Sequence, residues 1–222
     1  MTFESGLDPA HRAESTPGNR VVIVDSGMGN IAAVKNMLAR VGARPKIVSD
    51  PTDDALRYPI VLPGVGAFDA GIAKLHDSGW FDPLSELPPS AHVFGICLGM
   101  QLLGLDSEES TTGSVGLGRV GAHFRRIHAP GLRVPHMGWN ELELSDPADT
   151  VFAQQPGTPR FYFSHSFHAE CEDSSDVIAR TMYGESLVAG YRSGNTLGFQ
   201  FHPEKSHRFG MALFKAWLAS AC

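Results

Sequence analysis

The pattern of apolar and polar positions divides the first part of the chain into strands and helices. Residues 21–25 (VVIVD) form an apolar, β-branched run, typical of a strand that is buried on both faces. A glycine-containing turn follows, after which Asn30 can cap a helix and Gly42 can end it. The apolar positions of that helix recur at helical spacing and are Ile31, Val34, Met37, Leu38 and Val41. The chain therefore opens with a strand, a turn and a helix.

Two shorter apolar runs, at residues 46–49 and 60–62, predict further strands. Residues 92–104 (HVFGICLGMQLLG) then repeat the order of strand, turn and helix, and the helix begins at Leu98. Beyond about residue 107, glycine-rich loops separate short alternating segments, which predicts antiparallel strands beside a parallel sheet.

The last part of the chain ends the sheet and closes the fold. Residues 197–201 (LGFQF) read as the final strand. The stripe formed by Phe214, Trp217 and Leu218 predicts an amphipathic closing helix. We therefore predict the α/β fold class, with a mixed, mainly parallel central sheet flanked by helices.

Composition agrees with one domain spanning residues 20–222. The chain has 222 residues, of which 42% are hydrophobic and 19% charged, which suffices for a buried core and argues against disorder throughout. Residues 1–19 differ, because they contain little apolar material, several turn formers and no period. We expect them to form a mobile extension, with an ordered surface strap as the alternative.

Charge, apolar runs and cysteine content exclude several classes of protein. The formal net charge of −6 offers no global attraction to nucleic acid or anionic lipid, and no apolar run is long enough to cross a bilayer or serve as a signal peptide. The default location is the cytoplasm. Three cysteines, Cys97, Cys171 and Cys222, do not suggest a disulfide framework, and no Cys or His spacing suggests a metal site.

Cys97 lies in a G-x-C-x-G sequence between a predicted strand and a predicted helix. Gly95 and Gly99 permit the sharp turn of a nucleophile elbow, with a thiol where hydrolases more often have serine. The sulfur would then face a helix N-terminus, which favours a thiolate. Taken alone, the motif equally fits a buried structural cysteine.

A histidine and a carboxylate near the C-terminus can complete a catalytic triad. His202 and Glu204 are two residues apart after a strand-like run, so on an extended segment both side chains point to the same side. A thiol nucleophile requires an imidazole base, which a carboxylate holds in one tautomer. Cys97, His202 and Glu204 are therefore the candidate triad, and a surface or core histidine is the alternative for His202.

Two glycine turns could in principle bind a ligand, and the sequence favours this role for only one of them. Residues 62–67 (LPGVGA) run from a strand into a turn whose backbone N–H groups can hold an oxyanion, although a plain connecting loop fits the same pattern. Residues 27–29 (GMG) lack the rest of a dinucleotide fingerprint, so we assign this turn to structure and predict no cofactor.

In this order, the motifs resemble those of the class I (triad) glutamine amidotransferases. The motifs are VDSGMGN, PGVGA, GICLGMQ, VPHMGWN and QFHPEKS, and the resemblance runs from about residue 20 to residue 218. Within that family, PGVGA and PHMGWN are similar to the glutaminase subunits of imidazole glycerol phosphate synthases.

The resemblance implies that Cys97 attacks the side-chain amide of glutamine, that His202 shuttles protons and that Glu204 holds His202. It also assigns two further groups of residues. The oxyanion would be bound at Gly64, Val65, Gly66 and Leu98. Glutamine would be bound by Gln101, Glu109, His165, Ser166 and Phe167. On the residues alone, Gln101 could instead be an exposed helical residue, and Glu109 could belong to a solvated acidic pair with Glu108.

The resemblance also implies a partner protein. Ammonia would pass into a cyclase of the (β/α)₈-barrel type, which forms a heterodimer with this chain and acts in histidine biosynthesis. The docking face would comprise His136, Met137, Trp139, Asn140, Tyr162 and Lys205. A buried core aromatic is the alternative for Trp139, while an exposed aromatic would suit an interface.

Some positions depart from the subfamily pattern. Ser26 and Phe167 stand where tyrosine is frequent in the subfamily. Residues 68–75 (FDAGIAKL), 168–171 (HAEC) and 204–211 (EKSHRFGM) look like a sister branch, in which the same glutaminase serves a synthase that amidinates a surface-polysaccharide sugar. The sequence therefore predicts a glutaminase and leaves two acceptors of its ammonia open.

Overall fold

A computed structural model describes residues 18–222. The helices are α1 (Ile31–Arg40), α2 (Phe68–Asp77), α3 (Phe81–Ser85), α4 (Leu98–Leu102) and α5 (His207–Ala221). The strands are β1 (Arg20–Val24), β2 (Arg44–Val48), β3 (Ile60–Gly64), β4 (Val93–Cys97), β5 (Asp106–Ser107), β6 (Ala122–Arg126), β7 (His136–Glu141), β8 (Glu143–Leu144), β9 (Arg160–His165), β10 (Phe167–Cys171), β11 (Val177–Tyr183), β12 (Glu185–Ser193) and β13 (Thr196–Phe199). All but the last two residues of the predicted N-terminal extension lie outside the described residues.

The central sheet is mixed, as the sequence predicts. Its order is β2-β1-β3-β4-β13-β12-β10-β6-β5, with β11 and β8 continuing from β12 off this path. The first five strands of this order run parallel, while β12, β10 and β6 continue the sheet with antiparallel pairings. The antiparallel strands predicted beyond about residue 107 therefore extend one edge of the parallel sheet.

Apolar side chains cover both faces of the parallel strands. Along β1, Val21 and Ile23 pack into one core with α1 and α5, whereas Val22 and Val24 pack into a second core with α2. Trp217 of α5 belongs to the first core and is 1% exposed. Burial on both faces explains why β1 is continuously apolar rather than alternating.

The predicted helix and strand ends are mostly close to the observed ones. Asn30 caps α1, because its side-chain oxygen accepts a hydrogen bond from the Ala33 N–H at 3.2 Å. The predicted end of the last strand at Phe201 is wrong by two residues, since β13 ends at Phe199. The chain leaves the sheet there, and the His202 N–H donates to the carbonyl of Tyr162 on β9.

Strands β7 and β9 form a separate antiparallel pair beside the carboxyl ends of the parallel strands. His136 pairs with His165 and Trp139 pairs with Tyr162 in its register. Because side chains alternate along a strand, one face of this pair is buried and the other is open. The open face bears Met137 and Trp139. On the same strand pair, the backbone carbonyl oxygen of Ser164 lies 4.0 Å from Sγ of Cys97.

Candidate active site

Cys97 occupies a strained elbow between β4 and α4. Its φ of 53° and ψ of −110° lie outside the regions that L-residues prefer, a conformation that costs about 1–3 kcal/mol. The flanking glycines make the turn possible: a Cβ at Gly99 would lie 1.8 Å from the Leu62 carbonyl oxygen, and one at Gly95 would lie 2.8 Å from the Met100 nitrogen. The helix dipole was expected to favour a thiolate at Cys97. Because α4 spans only five residues, this effect comes from little more than one helical turn.

His202 and Glu204 form a buried pair. Nδ1 of His202 lies 2.8 Å from Oε1 of Glu204, and the two side chains are 2% and 3% exposed. They meet across a 3₁₀ turn, Pro203–Lys205, and not along an extended segment as predicted. Ser206 anchors this turn, because its hydroxyl donates to the His202 carbonyl at 2.7 Å. The surface-histidine alternative is therefore wrong.

The environment of His202 favours its protonated form. Burial by itself would lower the pKa of His202, but hydrogen bonds with Cys97 and Glu204 and the charges of both groups raise it from 6.5 to about 9. The imidazole therefore holds a proton readily when the thiol gives one up. This arrangement suits the exchange of a proton between a thiol nucleophile and its base.

Gln200 also contacts the nucleophile, although the sequence motifs did not place it in the candidate site. Its Nε2 donates to Sγ of Cys97 at 3.7 Å, and its Oε1 accepts a hydrogen bond from Nε2 of Gln101 at 3.2 Å. The side chain is fully buried. The available signal was its position, two residues before His202 and at the end of the last apolar run.

The candidate oxyanion segment lies directly beside the elbow. Gly64 pairs in register with Cys97, and a Cβ at Gly64 would come within 2.8 Å of the Gly99 nitrogen. Gly66 has a φ of 117°, which side chains disfavour, and Val65 is 47% exposed. Val65, Gly66 and Leu98 border the same cavity as Cys97.

That cavity has a volume of about 480 Å³ and contains the residues predicted to bind glutamine. They are Gln101, Glu109, His165, Ser166 and Phe167. Gln101 is only 5% exposed, so the alternative of an exposed helical residue is wrong. Glu109 accepts a hydrogen bond from the Phe68 N–H at 2.8 Å, whereas Glu108 accepts one from the Arg126 N–H, so they do not form the solvated acidic pair considered above.

The residues predicted to dock a partner divide into two groups. Met137 and Trp139 are 62% and 40% exposed, which excludes a core role for Trp139. Lys205 places its Nζ 5.7 Å from the centre of the Tyr162 ring and also borders the cavity. His136 needs correction, because it is 2% exposed and lies on the inner face of β7.

Asn140 shares the inner side of β7 with His136. Its Nδ2 lies 3.3 Å from Nε2 of His136 and donates to the Met182 carbonyl at 2.9 Å. Strand alternation explains this placement, because residues 136, 138 and 140 point away from the face that bears Met137 and Trp139.

The other cysteines lie away from the elbow. Cys171 is half-buried, and burial raises the pKa of its thiol to about 11, while Cys222 is exposed; neither is in a disulfide. Across residues 18–222, no helix has the length and apolarity to cross a bilayer. Over the same residues, no three His, Cys, Asp or Glu side chains are grouped as metal ligands.

Comparison with known proteins gives the family. The family described as "Glutamine amidotransferase class-I" matches residues 22–219. Imidazole glycerol phosphate synthase subunit HisH 2 of Pseudomonas aeruginosa is 44% identical, covering 88% of this chain and 96% of the relative. The protein of the same name from Methanococcus maripaludis is 36% identical and covers 90% and 100%.

Solved structures agree on the fold. A structure described as glutamine amidotransferase superimposes with a TM-score of 0.68 at 22% identity, covering 90% of this chain and 98% of the other. A structure described as PurLQS from Thermotoga maritima gives a TM-score of 0.63 at 18% identity, covering 91% and 99%. The chain therefore belongs to the class I glutamine amidotransferase family and is a glutamine-hydrolysing enzyme.

Proposed function

We propose that this chain is the glutaminase subunit of an imidazole glycerol phosphate synthase, acting in histidine biosynthesis in the cytoplasm. Its task is to release ammonia from glutamine and to pass it to a cyclase subunit. The observation that carries the proposal is the buried triad of Cys97, His202 and Glu204, which opens into a cavity beside the exposed face of β7 and β9. The names of the relatives from P. aeruginosa and M. maripaludis support the choice of synthase.

The first half of the reaction forms a thioester. His202 takes the thiol proton, and Sγ of Cys97 attacks the side-chain carbonyl carbon of glutamine. The backbone at Gly64, Val65, Gly66 and Leu98 receives the negative oxygen of the tetrahedral intermediate. The imidazolium of His202 then protonates the leaving nitrogen, so ammonia departs and a γ-glutamyl thioester remains.

The second half hydrolyses the thioester. His202 takes a proton from water, whose oxygen attacks the thioester carbonyl, and the thiol leaves with that proton. Glutamate is released and Cys97 is restored. Glu204 keeps Nδ1 of His202 occupied at 2.8 Å, so that Nε2 faces the reacting groups in both halves.

The remaining cavity residues bind glutamine. Gln101 and Glu109 contact its polar groups, and the backbone of residues 165–167 takes its amino-acid end. In the structure, Gln101 is hydrogen-bonded to Gln200 and Glu109 to the Phe68 N–H, so both side chains are already held at the cavity wall. Preorganised contacts of this kind reduce the entropy lost when the substrate binds.

The partner docks on the open face of β7 and β9. Ser164 lies on β9 two residues from Tyr162, and its carbonyl oxygen is 4.0 Å from Sγ of Cys97. Ammonia formed at Cys97 therefore starts close to the surface that bears Met137, Trp139 and Tyr162. We assign this surface to a (β/α)₈-barrel cyclase subunit that forms a heterodimer with this chain, and exposed aromatic side chains are typical anchors of such interfaces.

The test measures glutamate release from glutamine by the chain, alone and with the cyclase subunit of the same organism and its ribulosyl substrate. We expect strong stimulation by the cyclase. Cys97→Ala should abolish glutamate release while the complex still uses free ammonia, and Cys222→Ser, which removes an exposed thiol, should change neither. Loss of both activities in a folded Cys97→Ala complex would contradict the proposed chemistry.

A second candidate has the same glutaminase serve a synthase that amidinates a surface-polysaccharide sugar. Ser26, Phe167 and the three stretches described above favour it. Stimulation by the sugar synthase, with none by the histidine-pathway cyclase, would support this second candidate over the first.

A further inference from the structure

Two buried histidines lie between the docking strands and the glutamine cavity. His136 on β7 and His165 on β9 are direct register partners, 2% and 5% exposed, and Nδ1 of His136 is 3.0 Å from Nε2 of His165. Burial lowers the pKa of His136 to about 4; burial and neighbouring histidines lower that of His165 to about 3. Both rings are therefore neutral near pH 7, and each carries one ring proton.

The hydrogen-bond partners determine where those protons are. Nδ1 of His165 lies 2.8 Å from the Phe167 carbonyl oxygen, which can only accept, so Nδ1 carries the proton and Nε2 is an acceptor. His136 must then donate from Nδ1, which leaves its own Nε2 as an acceptor. Nδ2 of Asn140 is the matching donor at 3.3 Å, and the same nitrogen donates to the Met182 carbonyl.

Each group in this chain of hydrogen bonds has one role, and no member conflicts with its neighbours. Oδ1 of Asn140 accepts from the Glu141 N–H at 2.9 Å, which independently sets the orientation of the amide. The order of donation therefore runs from Asn140 to His136, from His136 to His165, and from His165 to the Phe167 carbonyl. Chains with a single consistent direction are typical of buried groups that are held in one arrangement.

Packing alone does not require a histidine at position 136. Its ring is stacked between Phe163, at 4.7 Å, and Tyr183, at 4.1 Å between ring centres. A phenylalanine would fill the same space between these two aromatic rings. The nitrogens of His136 are therefore needed for the hydrogen bonds rather than for filling the core.

The hydrogen-bond chain ends on the segment that borders the cavity. His165 fixes the Phe167 carbonyl, and the neighbouring Ser166 carbonyl accepts from the Ile127 N–H at 3.0 Å. Two successive carbonyls of this segment are thus held by hydrogen bonds within the protein. Such fixing sets the direction of the segment's remaining polar groups toward a bound substrate.

We propose that His136 is a positioning residue for glutamine: by donating to Nε2 of His165, it holds His165 in the tautomer that fixes residues 165–167 for the amino-acid end of the substrate. This rests on the proposed function, in which these residues bind glutamine. The role differs from the partner docking first assigned to His136, because it acts through the interior of the strand pair.

The test separates substrate positioning from the reactivity of the nucleophile. His136→Phe keeps the aromatic stack and removes the donor, whereas His136→Asn retains an N–H close to the position of Nδ1. Tyr183→Phe is the matched control, because it keeps the stack and removes a hydrogen bond outside the hydrogen-bond chain, from the Tyr183 hydroxyl to the Arg133 carbonyl. Each variant is assayed in the complex for glutamine KM and kcat.

Two alkylating probes complete the design. A chloroketone analogue of glutamine needs the glutamine-binding segment to reach Cys97, whereas iodoacetamide does not. For His136→Phe we expect KM to rise about tenfold and labelling by the chloroketone to slow similarly, the size of one lost hydrogen bond. The rate at which iodoacetamide labels Cys97 should stay within about twofold of the rate in the parent, because position 136 is only weakly coupled to the thiol. His136→Asn should recover most of the loss, and Tyr183→Phe should match the parent.

The outcomes are distinguishable. An unchanged KM in folded His136→Phe, or an equal loss with both probes, would overturn the positioning role. Failure of the parent protein to react with the chloroketone would instead contradict the proposed glutaminase site. If His136→Phe does not fold, nitrogen NMR of the parent protein decides, because a proton on Nε2 of either His136 or His165 would refute the hydrogen-bond chain.

Discussion

Glu204→Gln should change how stability depends on pH, because Glu204 holds His202 in its protonated form. The pKa of His202 is raised from 6.5 to about 9, and at 1.36 kcal/mol per pKa unit this difference corresponds to about 3 kcal/mol. Burial by itself lowers this pKa, and the hydrogen bonds of the imidazole with Cys97 and Glu204, together with the charges of both groups, raise it. We therefore assign about 1–3 kcal/mol to the carboxylate.

The direction follows from the sign of the shift. A raised folded pKa stabilises the protein fully below pH 6.5, and this stabilisation is lost as the pH rises through about 9. Replacing the carboxylate by an amide removes the negative charge, so the pKa of His202 falls because one of the two groups that oppose the effect of burial is lost. The free energy of unfolding of the parent should exceed that of Glu204→Gln most near the lower pH, and the difference should shrink as the pH rises.

Urea unfolding at pH values near 6.5 and above 9 measures this difference. Glu143→Gln makes the same chemical change on an exposed side chain and should give a small difference that does not vary with pH. Subtracting the free energy of unfolding of the variant from that of the parent at the same pH also cancels the contribution of His123, whose pKa is raised by its hydrogen bond to Asp106. A pH-independent difference between the parent and Glu204→Gln would refute the assigned role of the pair.

Three further changes have defined outcomes. Gly99→Ala places a Cβ 1.8 Å from the Leu62 carbonyl oxygen, so we expect a loss of more than about 3 kcal/mol in urea unfolding, or no folded protein. Gln200→Met removes a donor to Cys97 and should slow alkylation of that thiol by iodoacetamide about threefold to tenfold at neutral pH. Asn30→Ala should cost about 1 kcal/mol of stability through the lost cap and leave glutamine hydrolysis unchanged.

Local patterns were sufficient for the opening strand and helix and for the elbow. The apolar run at 21–25 and the helical spacing after it predicted β1 and α1, because buried strands and amphipathic helices differ in the period of their apolar positions. Gly95 and Gly99 around Cys97 likewise indicate positions where another backbone segment lies so close that any side chain would clash with it. These signals are contained within a few consecutive residues.

Such local patterns do not predict the contacts that depend on tertiary structure. The pairing of His202 with Glu204 was expected from an extended segment, but it arises in a 3₁₀ turn that Ser206 anchors. The contact of Gln200 with Cys97 joins residues 103 positions apart, and nothing in either local pattern specifies that distance.

The sequence by itself predicted the opening strand and helix, the elbow, the candidate triad and the resemblance that implies glutamine chemistry. Only the tertiary structure decided that His136 points inward toward His165 while Met137 and Trp139 point outward. The physical reason is that strand alternation allows either face of β7 to be buried, and the packing of Phe163 and Tyr183 against His136 selects one. The residues of one sequence motif are thereby divided between an exposed face and the interior.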